Sequence, residues 1–156
     1  MPDDLFVGDD PISSTFMVKV DGNHIGRFHQ VSGLALTIDT EEILEGGNND
    51  FVHKVPGRMR WPNIVLSRGV TQSDVFFAWA RESSGADFER HENKIGRFTV
   101  AISMTNRTGD ALRTWELEGA FPVRWTGPTF AAADESPLVE ELEIAHHGFT
   151  TTTHKK

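Results

Sequence analysis

Short stretches of alternating apolar and polar residues dominate the pattern of this chain. The first stretch, TFMVKV at residues 15–20, places Phe16, Val18 and Val20 on one face, which predicts a β-strand. Turn residues follow at 21–23, so a second strand from about His24 is predicted to complete a hairpin. Similar patterns predict further strands at residues 34–43, 63–68, 98–104, 112–117, 121–125 and 139–144, and residues 51–54 can return as a short strand beside them.

One stretch has a helical period instead. Thr71 or Ser73 can cap a helix that ends by Gly85, and its apolar face would cover one side of the sheet. That face consists of Val75, Phe76, Trp79 and Ala80. One flanking α-helix beside seven or eight strands predicts a mainly β fold, an antiparallel β-barrel or sandwich rather than a doubly wound sheet.

The chain divides into three segments. Residues 1–12 contain four aspartates and no basic residue, so we expect a flexible acidic N-terminal arm. Residues 13–149 have the length of a single domain with its own core, and residues 150–156 form a polar C-terminal tail. The N-terminus does not resemble a secretory signal. We therefore expect assembly in the cytoplasm and, if the protein leaves the cell, release by a route that reads no cleavable signal.

Composition excludes several classes of function. The net charge of -8 argues against stable nucleic-acid binding, which needs a basic surface. The chain contains no cysteine, which excludes disulfides and thiolate chemistry. No apolar stretch approaches the roughly 20 residues that span a bilayer, so no membrane anchoring is predicted.

The charged residues are blocked along part of the chain. Residues 39–50 contain five acidic side chains and no basic one, whereas residues 54–68 contain Lys54, Arg58, Arg60 and Arg68 and no acidic one. Two such blocks could meet across a subunit contact and set its register. They could equally be a solvated loop beside a solvated strand.

No arrangement of residues indicates catalysis or a metal site. His146 and His147 are adjacent and, on a strand, would point to opposite faces. Glu140, Glu141 and Glu143 show no spacing that indicates a cleft for acid and base catalysis. We therefore predict no enzyme activity, no metal and no cofactor. The four tryptophans leave one alternative, a monomeric β-sandwich that binds carbohydrate or another ligand through exposed aromatic rings.

Several segments, taken in order, resemble one family. They are VDGNHIGRF at 20–28, VSGL at 31–34, EGG at 45–47, KVPG at 54–57, NIVLSRGVT at 63–71, FFAW at 76–79, WELEGAFPVRWTGP at 115–128 and LEIAHHG at 142–148. Together they resemble the inner tube proteins of contractile injection systems, which are relatives of contractile-phage tail tubes. The resemblance extends over residues 15–149, and it is greatest to tubes of extracellular injection particles.

The resemblance implies a structural role. Tube proteins of this family form hexameric rings that stack into a hollow tube inside a contractile sheath, and contraction drives the tube through a target envelope. The implied partners are other copies of the chain, the sheath, the baseplate and spike, tube-terminating proteins and protein cargo in the lumen. The sequence leaves open a phage tail, a bacteriocin, an extracellular particle or, more distantly, a type VI tube.

The resemblance also implies where subunits meet. Residues 39–62 match an extended hairpin that the family projects toward neighbouring subunits or the next ring, and we expect its tip to be poorly ordered in an isolated subunit. The residues assigned to this contact are Glu45, Gly46, Gly47, Asn48, Asn49, Asp50, Phe51, Lys54, Arg58 and Arg60. Glu141 and Glu143 are candidates for the face that lines the lumen.

Overall fold

A computed structural model describes residues 15–47, 50–82, 96–131, 133 and 136–154. Within these residues the chain forms ten strands and one helix. In chain order they are β1 Thr15–Val20, β2 Asn23–Phe28, β3 Gln30–Ser32, β4 Thr37–Ile43, β5 His53–Arg60, β6 Ile64–Gly69, α1 Val75–Glu82, β7 Phe98–Thr105, β8 Ala111–Thr126, β9 Val139–Ala145 and β10 Phe149–Thr153. The prediction of a mainly β fold with a helix is confirmed.

Eight strands form one antiparallel sheet that closes on itself. The strand order is β2-β1-β7-β8-β9-β6-β3, and β10 also pairs with β8. The two end strands, β2 and β3, are separated only by His29, whose N–H donates a hydrogen bond to the carbonyl of Ser67 on β6 at 3.2 Å. One continuous segment of chain therefore joins both ends of the sheet, which gives the barrel form that the sequence predicted.

The core lies inside this closed sheet and beneath α1. Val18, Ile102 and Leu142 belong to its fully buried side chains. The helix contributes Phe76, whose ring stacks on Phe28 at a centroid distance of 4.9 Å. Trp79 is also buried, as its helical spacing predicted. The predicted end of this helix near Gly85 lies outside the described residues, as do the arm at residues 1–12 and the charged connection at residues 87–94.

Strand β8 is continuous where the sequence predicted two strands. It passes through Gly119, which has a φ of +60°, a conformation that only glycine adopts without strain. A Cβ atom at this position would lie 2.8 Å from Nδ1 of His147. The glycine therefore does not end the strand; it lets the strand turn a corner beneath the imidazole ring.

The predicted strand at residues 34–43 begins later than expected. Gly33 has a φ of +86°, and a Cβ atom there would lie 2.1 Å from the carbonyl oxygen of Asn63. The chain turns at this close backbone approach, so β3 ends at Ser32 and β4 begins at Thr37. Gly33 therefore marks a corner between two strands.

The C-terminal segment differs from the prediction of a polar tail from residue 150. Residues Phe149–Thr153 form β10, which pairs with β8 from Leu117 to Arg113. Consecutive β-branched threonines favour an extended backbone, and the edge of β8 supplies their hydrogen-bond partners. The sequence pattern did not reveal this strand because its four consecutive threonines show no alternation of apolar and polar residues.

Candidate assembly hairpin

Strands β4 and β5 form a separate two-stranded sheet. Its register places Glu42 opposite Lys54 and Ile43 opposite His53. Neither strand packs extensively on another described element; the two contact mainly each other. The projecting hairpin that the family resemblance implied is therefore present as an arm of the molecule, at residues 37–60.

The return strand of the hairpin contains a proline. Strand β5 runs through Pro56 and Gly57, and Pro56 lies opposite Thr40 beside an irregularity in the register. Proline is tolerated in a strand whose N–H is not required by a neighbour, and each strand here has only one partner. The predicted strand at residues 51–54 is therefore longer and begins at His53.

Apolar side chains of this arm face solvent. Seven of the thirteen large apolar side chains that are exposed in the described chain lie between residues 36 and 59. Leu44 is 84% exposed and Phe51 is 58% exposed. An isolated two-stranded hairpin is marginally stable in water. Adjacent exposed apolar side chains of this kind are typical of an interaction surface.

Members of the two charge blocks meet within one chain. Arg60 donates from Nε to Asp39 at 2.8 Å, and Nε2 of His53 lies 3.3 Å from a carboxylate oxygen of Glu45. Both pairs are solvent-exposed, so each contributes little to stability. Both pairs lie within one chain and therefore do not demonstrate a subunit contact.

The residues predicted for the subunit contact are only partly described. The chain continues from β4 toward the tip through Glu45, Gly46 and Gly47, and Gly47 has a φ of +97°. Asn48 and Asn49 lie outside the described residues. The remaining predicted residues, all exposed, are Asp50, Phe51, Lys54, Arg58 and Arg60.

The base of the hairpin is anchored by an aromatic cluster that the sequence analysis missed. The ring of Trp61 packs edge-on against Phe149 at 5.0 Å, and Gly148 lies so close that a Cβ there would meet Trp61 at 3.0 Å. Nδ1 of His146 accepts a hydrogen bond from the N–H of Gly148 at 3.0 Å. The neutral ring therefore carries its proton on Nε2 and donates to the carbonyl of Pro62 at 2.9 Å.

Arg68, which the sequence placed in a basic block, is buried instead. Its Nε donates to Glu140 at 2.6 Å, and both side chains are less than a tenth exposed. The guanidinium lies 3.8 Å from the centroid of the Phe76 ring, and Trp125 donates to the second oxygen of Glu140 at 3.2 Å. This cluster joins β6, β8, β9 and α1. Because Glu140 is fully engaged, it does not form an acid and base pair with its neighbours.

Leu142 and Ile144, which alternate with Glu141 and Glu143 along β9, are buried in the core. The two glutamates therefore lie on the opposite face of the strand, which points away from the core. Asn63 donates to one oxygen of Glu143 at 2.8 Å, and Arg124 donates from both Nε and Nη2 to the other. These two hydrogen-bond donors lower the pKa of Glu143. The carboxylate is therefore matched by a fixed positive charge.

The described part of the chain contains no cluster of three or more potential metal ligands. His146 faces Pro62, whereas Nε2 of His147 lies 2.8 Å from a guanidinium nitrogen of Arg97, so the two rings do not converge. None of the described helices has the length and apolar character needed to cross a membrane.

Comparisons with known proteins agree with this architecture. The family model of the T4-like virus tail tube protein gp19 matches residues 13–150. A chain in the sheath-tube complex of the extracellular contractile injection system PVC, in its extended state, is similar with a TM-score of 0.75 and 30% identity, over 89% of this chain and 88% of that chain. A chain of the anti-feeding prophage cap is similar with a TM-score of 0.78 and 27% identity, over 97% of both chains.

A more distant protein shares the fold alone. Hcp1 from Flavobacterium johnsoniae is similar with a TM-score of 0.51 and 17% identity, over 90% of this chain and 96% of that chain. A comparison with curated protein sequences gives no match. The resemblance noted in the sequence is confirmed: the chain belongs to the T4 gp19 family of tail tube proteins.

Proposed function

We propose that this chain is the subunit of the inner tube of an extracellular contractile injection particle. Copies of it form hexameric rings, the rings stack inside a sheath, and contraction of the sheath drives the tube through a target envelope. Membership of the tail tube family supports this proposal. The observation that carries it further is the arm at residues 37–60, whose apolar side chains are exposed in the single chain.

The arm is suited to assembly on energetic grounds. Exposed apolar surface costs free energy in water, about 25 cal/mol for each Å². Among the described residues of a single copy, no other element packs extensively on β4 and β5. Packing against a neighbouring subunit removes this surface from water, and the gain offsets the entropy lost when the tip becomes ordered.

Two free strand edges are available for ring closure. β10 pairs with β8 on one side and with no other described strand. The end of β8 that pairs with β9, at Phe121–Thr126, has no described strand on its opposite side. Unpaired edges invite association. Edge pairing between neighbours would join the barrels around a ring and leave no edge free.

The outward face of β9 is a suitable lining for a lumen. Thr126 on β8 lies opposite Glu141, and Val65 on β6 lies opposite Glu143. Arg124 matches the charge of Glu143, so Glu141 carries the negative charge of this strand face. A mildly acidic and otherwise small-residue lining would let protein cargo pass with little binding.

The other expectations follow from the tube role. The relatives occur in structures described as a sheath-tube complex and a tube-terminating cap, so we propose a sheath, a terminating protein and a baseplate with its spike as partners. Assembly takes place in the cytoplasm, and the particle is released afterwards. The subunit carries out no chemistry and needs no cofactor.

The alternative of a carbohydrate-binding module receives little support. Such a module needs exposed aromatic platforms. Trp79 is buried, Trp115 and Trp125 pack against the core, and Trp61 packs against Phe149. The aromatic rings on which the alternative depended are therefore engaged within the fold.

Electron microscopy tests the proposal. The chain should be purified alone and with its co-expressed sheath and baseplate, and imaged after size-exclusion chromatography. We expect rings with six-fold symmetry, or tubes that consist of such rings. A chain that stays monomeric at every concentration and is absent from the co-expressed particles would exclude the tube role.

A second experiment tests the lumen face. Reversing Glu141 and Glu143 to lysine should reduce the loading of basic protein cargo and increase that of acidic cargo, as measured by the amount of cargo in purified particles. The matched control is Glu82→Lys, which reverses one charge at an exposed position of α1 and is compared with Glu141→Lys alone. Equal cargo loading in all variants would exclude β9 from the lumen.

A further inference from the structure

A small hollow lies where the junction of β2 and β3 meets the end of β6. We call it the cationic hollow, and its volume is about 320 Å³. Ligand pockets usually have volumes of about 300–1,000 Å³, so this one suits a small ligand. Two arginines and a histidine line it, together with two threonines, and its described lining contains no carboxylate. These residues are Arg27, Arg68, His29, Thr15 and Thr71.

The guanidinium of Arg68 is held in a fixed position beside the hollow. Its Nε donates to Glu140 at 2.6 Å, and its central carbon lies 3.8 Å from the ring centroid of Phe76 and 5.7 Å from that of Phe28. Nη2 lies 3.4 Å from the carbonyl oxygen of Ser73. Ordering a long side chain usually opposes binding. Because this side chain is already ordered, a ligand of Arg68 would not incur that cost.

Nη1 of Arg68 is the nitrogen that the protein leaves without an acceptor. No described residue accepts a hydrogen bond from it. Gly26 on β2 leaves room beside it, since a Cβ at that position would lie 2.9 Å from Nη1. The fully enclosed side-chain nitrogen without a partner in the described chain is that of Trp79, so Nη1 of Arg68 keeps an opening. A donor without an acceptor costs free energy in a mostly buried position, and an oxyanion would supply the acceptor.

Arg27 and Thr71 add two further donors, and both residues are exposed. None of the ion pairs between described residues includes Arg27. Oγ1 of Thr71 accepts a hydrogen bond from the N–H of Ser73 at 3.3 Å, which leaves the hydroxyl proton free to donate. Glu140 balances the charge of Arg68, so Arg27 supplies the net positive charge of the hollow.

We propose that the cationic hollow binds a small oxyanion of the carboxylate or phosphate class. Nη1 of Arg68 and the guanidinium of Arg27 are its charged donors, and the hydroxyl of Thr71 is a neutral donor. Charge-assisted hydrogen bonds of this kind are about twice as strong as neutral ones. The site does not depend on the proposed tube function, because every residue that forms it belongs to one copy of the chain.

The oxyanion has two possible sources, which share the same binding groups. One is the chain itself: residues 1–14 contain four aspartates and no basic residue, and they lead directly into Thr15, which lines the hollow. The other is a free anion in solution. A carboxylate on the same chain has a high effective concentration at the site, so it would compete with a free anion. This competition distinguishes the two sources.

Titration with inorganic phosphate tests the site, with chloride added to keep the ionic strength constant. Isothermal titration calorimetry gives the dissociation constant, and binding to the folded chain should also raise its melting temperature. Arg27→Gln should weaken binding about tenfold, because it removes one charged donor. The matched control is Arg58→Gln, which removes the same charge from an exposed position of β5 outside the hollow. It should leave the dissociation constant unchanged.

A full-length variant separates the two sources, with the four aspartates of residues 1–14 replaced by asparagine. If these aspartates occupy the hollow, the variant should bind phosphate about tenfold more tightly than the wild type; if a free anion is the ligand, both chains should bind it equally. Either result supports the site when Arg27→Gln weakens binding in the same background. The inference is overturned if phosphate binds to neither chain, or if Arg58→Gln weakens binding as much as Arg27→Gln.

Discussion

The barrel interior and the hairpin reverse the usual distribution of polar and apolar groups. Inside the barrel, Arg68 and Glu140 place a full ion pair in the core. On the hairpin, Leu44 and Phe51 place apolar side chains in water. Proteins seldom bury charges unless they are paired, and they seldom expose adjacent apolar side chains without a binding function.

The two regions differ in how their unusual groups are satisfied. The barrel satisfies its charges within one chain, since Arg68 contacts Glu140 and Phe76, and Trp125 donates to Glu140. The apolar side chains of the hairpin have no equivalent partner in the part of the chain that the structure describes. Substitutions in the barrel should therefore change the stability of the monomer, whereas substitutions in the hairpin should change assembly.

The largest effect is expected from breaking the buried ion pair. Glu140→Leu leaves the guanidinium of Arg68 buried without its counter-charge and should lower the free energy of unfolding by about 3–5 kcal/mol. Chemical denaturation of the monomer measures this change. The double variant Arg68→Met with Glu140→Leu should recover most of the loss, because no unpaired charge is left. A double variant as unstable as Glu140→Leu would contradict this account of the cluster.

A somewhat smaller effect is expected at the junction between the two regions. Gly33→Ala places a methyl group 2.1 Å from the carbonyl oxygen of Asn63 at a φ of +86°, so the backbone must shift. We expect a loss of about 2–3 kcal/mol, measured by thermal or chemical unfolding. Gly22→Ala is the matched control, because it has a similar φ of +81° but open space around it. Equal losses in both variants would show that the positive φ, and not the close contact with Asn63, causes the loss of stability.

A smaller and pH-dependent effect is expected on the outward face of β9. Hydrogen bonds from Asn63 and Arg124 lower the pKa of Glu143, so the charged form is stabilised by folding. Glu143→Gln should therefore destabilise the protein at pH 7, by at most about 1 kcal/mol because Arg124 is exposed. The difference from the wild type should shrink as the pH falls below about 4.3, the ordinary value for glutamate.

Urea unfolding at several pH values measures this difference. In the background of Arg124→Gln, the substitution Glu143→Gln should have a smaller effect at pH 7, since one of its two hydrogen-bond donors is already absent. A difference that grows as the solution becomes more acidic would contradict the assigned direction of the pKa shift.

The smallest effect on stability is expected from the hairpin tip. Phe51→Ser should change the free energy of unfolding of the monomer by no more than about 0.5 kcal/mol, because the side chain is mostly exposed. The same variant should nevertheless impair ring stacking, as measured by electron microscopy and sedimentation. If Phe51→Ser destabilised the monomer as strongly as Gly33→Ala, the separation between the two regions would be wrong.

The sequence predicted what depends on local pattern. Alternation at residues 15–20 gave β1, and the helical spacing of Phe76 and Trp79 gave α1 with its buried face. Strand β10 was missed because its threonines carry no alternation, and β8 was divided at Gly119 because a glycine in a strand resembles a turn. Both errors concern positions where neighbouring strands decide the backbone conformation.

Predictions for the site failed or succeeded for a similar reason. Residues 39–62 were assigned to a projecting hairpin through the family resemblance, and an arm is found there. Arg68 was grouped with the basic residues of the hairpin because it is close to them in sequence. Its partner, Glu140, is 72 residues away along the chain, and only the pairing of β6 with β9 brings the two charges together.

The continuity of β8 has a mechanical consequence. Its 16 residues have a contour length of about 50 Å, and the strand turns a corner at Gly119. The first half is hydrogen-bonded to β7 and β10, and the second half is bonded to β9. A force applied along β8 therefore acts on its inter-strand hydrogen bonds in shear. Many of these hydrogen bonds must then break together rather than one after another. Elastic stiffness, rather than recognition, is the property that this strand gives the subunit.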